Sequence, residues 1–228
     1  MIKNISNLGD AAVYCDFGIE VNETINSNVI NYFEHLSKLV KEEKILGITN
    51  LTPSYNKLIV SFDLKFTNYK VIKNLIENLV IKKTTKKNNR KIKIPVCCEK
   101  QYGLDFKRLN IKLNIKEDEI LTLFFSKEYF CYMTGFVAGM PFLGDINKKI
   151  RCDRLETPRV KVPKGSVGIT EQFANIYTFE SPGGWNIIGN TPKKIFDGKN
   201  IAEPSLIKPG NKISFYQISK EEYLNWDE

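Results

Sequence analysis

Histidine is almost absent from this chain: His35 is the single histidine among 228 residues. It lies in a segment with apolar residues at helical spacing, where a lone histidine is usually packed or exposed rather than catalytic. No cysteine–histidine pair and no serine–histidine–aspartate set with supporting spacing accompanies it. The scarcity of histidine therefore excludes the common nucleophilic triads.

Apolar runs long enough to span a membrane and cysteine spacings typical of a metal site are also missing. No run approaches the roughly 20 apolar residues that span a bilayer, and the N-terminal MIKNISNLGD lacks the basic flank and apolar core of a secretory signal. The five cysteines have no metal-ligand spacing, and Cys97 and Cys98 are adjacent. We expect a cytoplasmic protein with reduced thiols, no metal site and no membrane contact.

Acidic residues are absent from the most basic stretch, Lys82 to Lys93, which holds seven basic residues of a chain whose net charge is +8. Such a stretch is typical either of a nucleic-acid or acidic-partner patch or of a solvated connection between a helix and a strand. No aromatic residue interleaves the lysines as a stacking platform for bases requires. We therefore favour the solvated connection and do not expect a nucleic-acid partner.

The first hundred residues alternate between strand-like and helix-like patterns, which indicates a ferredoxin-like βαββαβ domain over residues 1–95. Apolar residues at helical spacing predict two amphipathic helices, and alternating residues predict the strands. The predicted elements, in order, are strand 11–17, helix 24–43, strands 45–51 and 57–63, helix 68–81 and strand 90–96.

The second half, residues 96–228, begins with a helical pattern over 103–125 and then becomes β-rich. Short strand-like runs separated by Pro, Gly or Asn turns favour a closed or sandwiched β architecture, and the chain as a whole is of the α+β class. The predicted strands are 129–136, 166–170, 175–180, 185–189 and 212–218, followed by a short helix over 221–226.

Three Gly/Pro-rich loops stand out in this half: Gly135–Gly144, Thr157–Gly168 and Ser181–Trp185. Each alone is most often a turn, but three loops within about fifty residues favour a binding site. The second presents Arg159 between two prolines, and a guanidinium fork suits a carboxylate or a phosphate. The adjacent glycines of the third leave backbone N–H groups open to an anion. Lys164-Gly165-Ser166 is not a P-loop, because the upstream glycine is missing.

The loops also carry a resemblance. GFVAGMPFLG, LETPRVKVPKGSVGI, IYTFESPGGWNIIGNTP and LIKPGNKISF, in this order, resemble the family of 5-oxoprolinase B subunits and allophanate hydrolase subunit 1, which includes the kinase inhibitor KipI. The likeness extends over essentially the whole chain. It implies an N-terminal α/β domain and a C-terminal cyclophilin-like β-barrel domain.

The resemblance further implies a function. In this family, the B subunit works together with the C and A subunits in the ATP-dependent opening of 5-oxoproline to L-glutamate. ATP would be used by the assembled enzyme, because this chain has no Walker motif. Two alternatives stay open: a KipI-like, non-catalytic inhibitor of a histidine kinase, and a different amide substrate such as allophanate or a urea derivative.

The family motifs, carried onto this sequence, also name candidate site residues. Arg159 and Gln172 are the catalytic candidates. The substrate-binding candidates are Gly139, Pro141, Gly144, Lys161, Ser181, Pro182, Gly183, Gly184 and Trp185. The chain departs from the family pattern at four positions, where Phe124 replaces a histidine, Asn190 replaces an arginine, and Ala138 and Phe173 lie within altered motifs.

Overall fold

The computed structural model of the protein describes residues 2–81 and 90–227. The chain divides into two compact units between residues 87 and 88. Among the described residues, no helix is both long enough and apolar enough to cross a membrane.

The first unit is a four-stranded antiparallel sheet with two helices. The strands lie in the order β1-β2-β4-β3, and the core contains apolar residues of β2 and β4 together with Val29, Leu36, Ile72 and Ile76 of the helices. Each helix begins after an asparagine whose side chain caps it, Asn22 for the first and Asn68 for the second. The elements are β1 Asn4–Asn7, β2 Ala12–Asp16, α1 Glu23–Lys41, β3 Ile48–Pro53, β4 Lys57–Phe62 and α2 Tyr69–Glu77.

The predicted βαββαβ order is wrong at both ends. An additional edge strand, β1, pairs with β2. The predicted last strand, observed as Lys91–Cys97 (β5), pairs over its full length with a strand near the C-terminus and belongs to the second unit. The reason is its long-range pairing, since Ile92, Ile94 and Val96 are buried in the second core. The expected boundary after residue 95 therefore falls inside a strand.

After β5, the elements of the second unit are α3 Phe106–Leu113, α4 Glu117–Phe125, β6 Glu128–Thr134, β7 Pro141–Gly144, a 3-10 helix Lys148–Ile150, β8 Arg159–Val162, β9 Ser166–Thr170, β10 Phe173–Ile176, β11 Ser181–Gly183, β12 Asn186–Asn190, β13 Lys212–Ile218 and α5 Lys220–Leu224. Seven of the strands form a closed barrel in the order β10-β7-β6-β13-β5-β12-β9, and β8 and β11 form a separate two-stranded ribbon. The main core is an apolar cluster that includes residues of α3 and α4.

The barrel agrees with the β-rich prediction, and β9 and β13 have the predicted bounds. The predicted helix over 103–125 is instead two helices, because Asn114 adopts a left-handed conformation with φ of 54°. Three short strands, β7, β8 and β11, lie inside segments interpreted as loops.

Most of the basic stretch, residues 82–89, lies outside the described residues. Of its remaining part, Lys91 on β5 forms an ion pair with Glu128 at 3.1 Å. This contact gives one of the basic side chains a partner within the barrel unit.

Candidate functional site

The three Gly/Pro-rich loops lie together on the barrel unit, and we refer to them as the loop cluster (residues 135–144, 157–168 and 181–185). Met140 and Val162 from the first two loops pack with buried Tyr177 and Ile187 in a small apolar core of their own. The ring of Trp185 packs edge-on against Phe142 with centroids 5.7 Å apart. The folding of the barrel thus brings three separate sequence motifs to one place.

The β8–β11 ribbon forms the outer part of the loop cluster. Ser181 pairs with Val162 and Gly183 pairs with Arg159, with a register shift between the two pairs. Pro182 lies exposed at this irregularity. The side chain of Lys161 extends into solvent and pairs with Glu180 at 3.1 Å. The ribbon therefore places Arg159 and Lys161 on one short strand with different surroundings.

Arg159 is held in an internal ion pair. Its Nη2 donates to Oδ1 of Asp105 at 2.6 Å, and Oδ2 of Asp105 accepts the backbone N–H of Ile187 at 2.6 Å. Asp105 is buried, whereas the Arg159 side chain is 28% exposed. Its Nη1 atom has no hydrogen-bond partner among the described residues. Arg159 thus ties β8 to the loop before α3 and keeps one donor unused.

Two further arginines lie beside this pair, and sequence reasoning missed both. Arg108 on α3 donates to the side-chain oxygen of Asn186 and, at 3.2 Å, to the carbonyl oxygen of Arg154. The guanidinium of Arg154 lies 5.9 Å from the centroid of the Trp185 ring, a cation–π arrangement. Arg154 is exposed. Arg154, although outside the loop cluster in sequence, thus places a second guanidinium beside it that is open to a ligand.

Tyr177 is the buried centre of the loop cluster. Burial raises the pKa of its hydroxyl, while the positive charges of Arg154 and Arg159 act in the opposite direction. The phenol is therefore protonated at neutral pH and able to donate. The hydroxyl oxygen of Ser181, also buried, has no hydrogen-bond partner among the described residues. Nη1 of Arg159 and the Ser181 hydroxyl are thus two buried polar atoms of the loop cluster without a partner among the described residues.

Gly139, Pro141 and Gly144 shape the wall of the first loop through close packing. Gly139 has a φ of +69°, and a Cβ there would lie 2.4 Å from the ring of Phe196. Pro141 begins β7 and is buried, and a Cβ on Gly144 would lie 2.7 Å from the ring of Tyr132. These three residues fix the backbone and bring no reactive group.

Gln172 belongs to a different polar group from Arg159. Its Nε2 donates to Oδ1 of Asp145 at 3.2 Å, and the hydroxyl of Tyr132 donates to Oδ2 of the same carboxylate at 3.4 Å. The ammonium group of Lys127 donates to the backbone oxygen of Asp145 at 2.7 Å. Gln172 therefore orients the Asp145 carboxylate next to the β9–β10 turn. Asp145, like Arg108 and Arg154, is a residue that the sequence pattern did not reveal.

Phe124, one of the four positions at which the resemblance implies a departure, is fully buried in the core. Its ring lies 4.9 Å from that of Phe215 and 5.3 Å from that of Tyr129. Asn190, another of these positions, donates to the backbone oxygen of Lys164 and accepts the hydroxyl of Tyr223. In this chain both positions are used for packing and loop support.

At the other two departures, the backbone oxygen of Ala138 accepts the Thr178 hydroxyl at 2.7 Å. Phe173 packs edge-on against Tyr132 with centroids 6.0 Å apart. Neither side chain supplies an acid or a base to the loop cluster.

Cysteine chemistry has no evident place in the site. All five thiols are free and buried, which agrees with the expected reduced cysteines. Burial raises the pKa of Cys15 and of Cys98 to about 12, so these thiols stay protonated at neutral pH. Within residues 2–81 and 90–227, no group of three or more His, Cys, Asp or Glu side chains is arranged to hold a metal ion.

The fold and the loop cluster define a carboxyltransferase-type domain. The family model described as "Carboxyltransferase domain, subdomain C and D" matches residues 3–207, and the chain belongs to this family. More particularly, it is 30% identical over 240 aligned positions to the B subunit of 5-oxoprolinase from Bacillus subtilis, with 98% of this chain and 96% of that protein covered.

Two longer proteins contain a region similar to the chain. Urea amidolyase of Saccharomyces cerevisiae is 25% identical over 250 aligned positions, and the match covers 94% of this chain but 13% of that protein. The solved structure of TTHA0988 superposes with a TM-score of 0.81 at 25% identity, covering 92% of this chain and 40% of the other. The same fold thus occurs as part of longer chains.

Proposed function

We propose that this chain is the B subunit of an ATP-dependent 5-oxoprolinase and works with the A and C subunits to open 5-oxoproline to L-glutamate. The observation that carries the proposal is the end-to-end match to the B subunit of a 5-oxoprolinase, in which 98% of one chain and 96% of the other align. By contrast, the chain matches 13% of a urea amidolyase. The identity is also higher with the 5-oxoprolinase subunit, at 30%, than with the urea amidolyase, at 25%, which favours 5-oxoproline over a urea-derived amide as the substrate.

The chemistry of the loop cluster suits this role. A lactam carbonyl is a poor electrophile, and its phosphorylation creates a leaving group and negative charge that cationic donors stabilise. Arg154 is exposed beside Trp185, and Arg159 retains an unpaired Nη1. In the proposed function these guanidinium groups, with the Ser181 hydroxyl, hold the substrate carboxylate or the phosphoryl group.

The first prediction concerns the division of labour within the assembly. The purified chain is expected to show no ATP hydrolysis alone, because it has no Walker motif, and the reconstituted A, B and C subunits are expected to release glutamate only when both ATP and 5-oxoproline are present. Coupled assays of ADP and glutamate measure both. ATP hydrolysis stimulated by 5-oxoproline in the isolated chain would contradict the division of labour.

The same assay separates the alternatives. Turnover of a urea-derived amide in place of 5-oxoproline would move the proposal to the other activity of the family. No turnover with any amide, together with inhibition of histidine kinase autophosphorylation by this chain, would replace it with the KipI-like function.

The second prediction concerns the contact with the C subunit. Phe136 has a φ of 69°, a conformation that costs a bulky residue roughly 1–2 kcal/mol, yet its side chain is 69% exposed. Exposed Phe179 follows Thr178, whose hydroxyl binds the first loop at Ala138. A strained aromatic residue that contributes little burial within its own chain fits an interface with a partner.

We expect Phe136→Gly to leave the melting temperature unchanged or raised and to weaken, about tenfold, the capture of the C subunit. The matched control is Ile201→Gly, which removes a 92% exposed apolar side chain from another loop. Binding of the C subunit, measured by biolayer interferometry, checks both variants. Equal affinities for Phe136→Gly and the parent chain would exclude Phe136 from the interface.

A further inference from the structure

Two cavities adjoin each other on the barrel unit, and neither Arg154 nor Arg159 lines them. They are contiguous because Lys193, Lys194 and Ile195 line both of them. The first has a volume of about 300 Å³ and the second of about 380 Å³. Each alone is at the lower end of the range for small-molecule sites, and together they suit an elongated ligand.

The first cavity is cationic. Lys164, Lys193 and Lys194 line it, and its lining among the described residues includes no acidic side chain. Nζ of Lys194 forms an ion pair with Oδ2 of Asp197 at 2.9 Å, whereas Lys164 and Lys193 form no ion pair with a described residue. Hydroxyl groups complete the lining, from Tyr177, Thr178, Thr191 and Tyr223. Ammonium and hydroxyl groups without a carboxylate are the surroundings that a phosphate chain requires.

The position of Lys164 is fixed by the glycine that follows it. Gly165 has a φ of +82°, and a Cβ there would lie 2.4 Å from the Asn190 side chain and 2.5 Å from the backbone oxygen of Thr191. The side-chain nitrogen of Asn190 donates to the Lys164 carbonyl at 2.9 Å. The two loops that carry Lys164 and Lys193 are thus packed closely against each other. The backbone positions of both lysines are therefore fixed before a ligand binds, which lowers the entropy lost on binding an anion.

The second cavity is mixed in character. Its apolar lining comes from Trp226 with Ile195, Pro204 and Leu206, and its polar lining combines Lys193 and Lys194 with the carboxylates of Asp197, Glu203 and Asp227. Asp197 is paired with Lys194 and Glu203 with Lys208, and carboxylates at this end of the two cavities accept hydrogen bonds from an amino group. An aromatic ring with an exocyclic amine therefore fits here, stacked on the indole.

The geometry points to a nucleotide site in this chain, with the phosphates on Lys164 and Lys193 and the base against Trp226. The choice of ATP as the nucleotide rests on the proposed function, whereas the site rests on the two cavities. Binding does not imply hydrolysis, and the isolated chain is expected to bind the nucleotide without cleaving it.

Tryptophan fluorescence tests this inference directly, because the chain has only two tryptophans and the other, Trp185, is buried. ATP is titrated into the isolated chain, with adenosine and inorganic triphosphate as the two partial ligands. We expect ATP to quench the emission saturably, Trp226→Phe to abolish the quenching, and each partial ligand to bind at least about tenfold more weakly than ATP.

Lys164→Ala/Lys193→Ala is expected to raise the Kd for ATP about tenfold or more, as loss of charged hydrogen bonds requires. The matched control is Lys107→Ala/Lys148→Ala, which removes two exposed lysines that line neither cavity. Calorimetry provides a readout that does not depend on tryptophan.

Equal Kd values for the two double variants, or triphosphate binding as tight as ATP, would overturn the inference. If ATP binding is weakened by these substitutions but the assembled enzyme releases no glutamate, the nucleotide site is supported and the proposed function is refuted. If the assembled enzyme releases glutamate and its KM for ATP is unchanged in Lys164→Ala/Lys193→Ala, the proposed function is supported and the nucleotide site is refuted.

Discussion

Replacing Arg159 with alanine is expected to lower the free energy of unfolding by about 3 kcal/mol, because it leaves a buried carboxylate without its counter-charge. The side chain of Asp105 is 5% exposed, and its second oxygen already accepts the N–H of Ile187 at 2.6 Å. Among the described residues Asp105 has no second ion-pair partner, so the charge left behind is buried and uncompensated. Urea denaturation of the purified variant measures the loss.

Two variants test whether the ion pair is the cause. Lys161→Ala lies on the same strand and breaks a pair that is 75% and 56% exposed, so it should leave the stability nearly unchanged. Asp105→Asn in the Arg159→Ala background removes the orphan charge but keeps an oxygen for Ile187, so it should recover most of the loss. A comparable loss from Lys161→Ala, or no rescue by Asp105→Asn, would show that the pair does not carry the effect.

Arg159→Lys separates a role in stability from a role at the site. Lysine supplies the positive charge that pairs with Asp105. It has a single terminal nitrogen, however, and cannot replace Nη1, the second terminal nitrogen of arginine, which has no hydrogen-bond partner in the part of the chain that the structure describes. We expect near-parent stability with glutamate release by the assembled enzyme lowered about tenfold or more. A variant with full stability and full activity would end the assignment of Arg159 to the substrate.

The sequence was sufficient for those parts of the fold whose pattern is local. The helices of the first unit follow from apolar spacing and asparagine caps, and β9 and β13 have clear turn residues at their ends. The partner of a strand is not a local property. β5 has the same alternation that a sheet strand of the first unit would have, and only its parallel pairing with β13 places it in the barrel.

The sequence indicated which loops form the loop cluster but not the contacts that they make. Glycines and prolines identified the loop cluster, yet the same residues concealed β7, β8 and β11, which are short and have little alternation. Asp105 gave no signal, because it meets Arg159 across 54 residues of chain. Arg154 was overlooked for the same reason, since its position over Trp185 depends on the closing of the ribbon.

The other large effect is expected at Gly183, where an added methyl group would collide with Tyr177. A Cβ at this position would lie 2.1 Å from the tyrosine hydroxyl and 2.8 Å from the ring carbon that carries it. Tyr177 is 1% exposed and cannot swing away freely. We expect Gly183→Ala to destabilise the chain by about 2 kcal/mol and to lower the activity of the assembled enzyme, because the ribbon must move off the tyrosine.

The neighbouring glycine is the matched control, because a Cβ on Gly184 meets its nearest atoms at 3.6 Å, an ordinary contact. Gly184→Ala should therefore be nearly neutral in urea denaturation. A double-mutant cycle identifies the cause: in a Tyr177→Phe background the colliding hydroxyl is gone, so Gly183→Ala should cost less than it does in the parent chain. Equal costs in the two backgrounds would mean that Gly183 is required for its backbone conformation rather than for its contact with Tyr177.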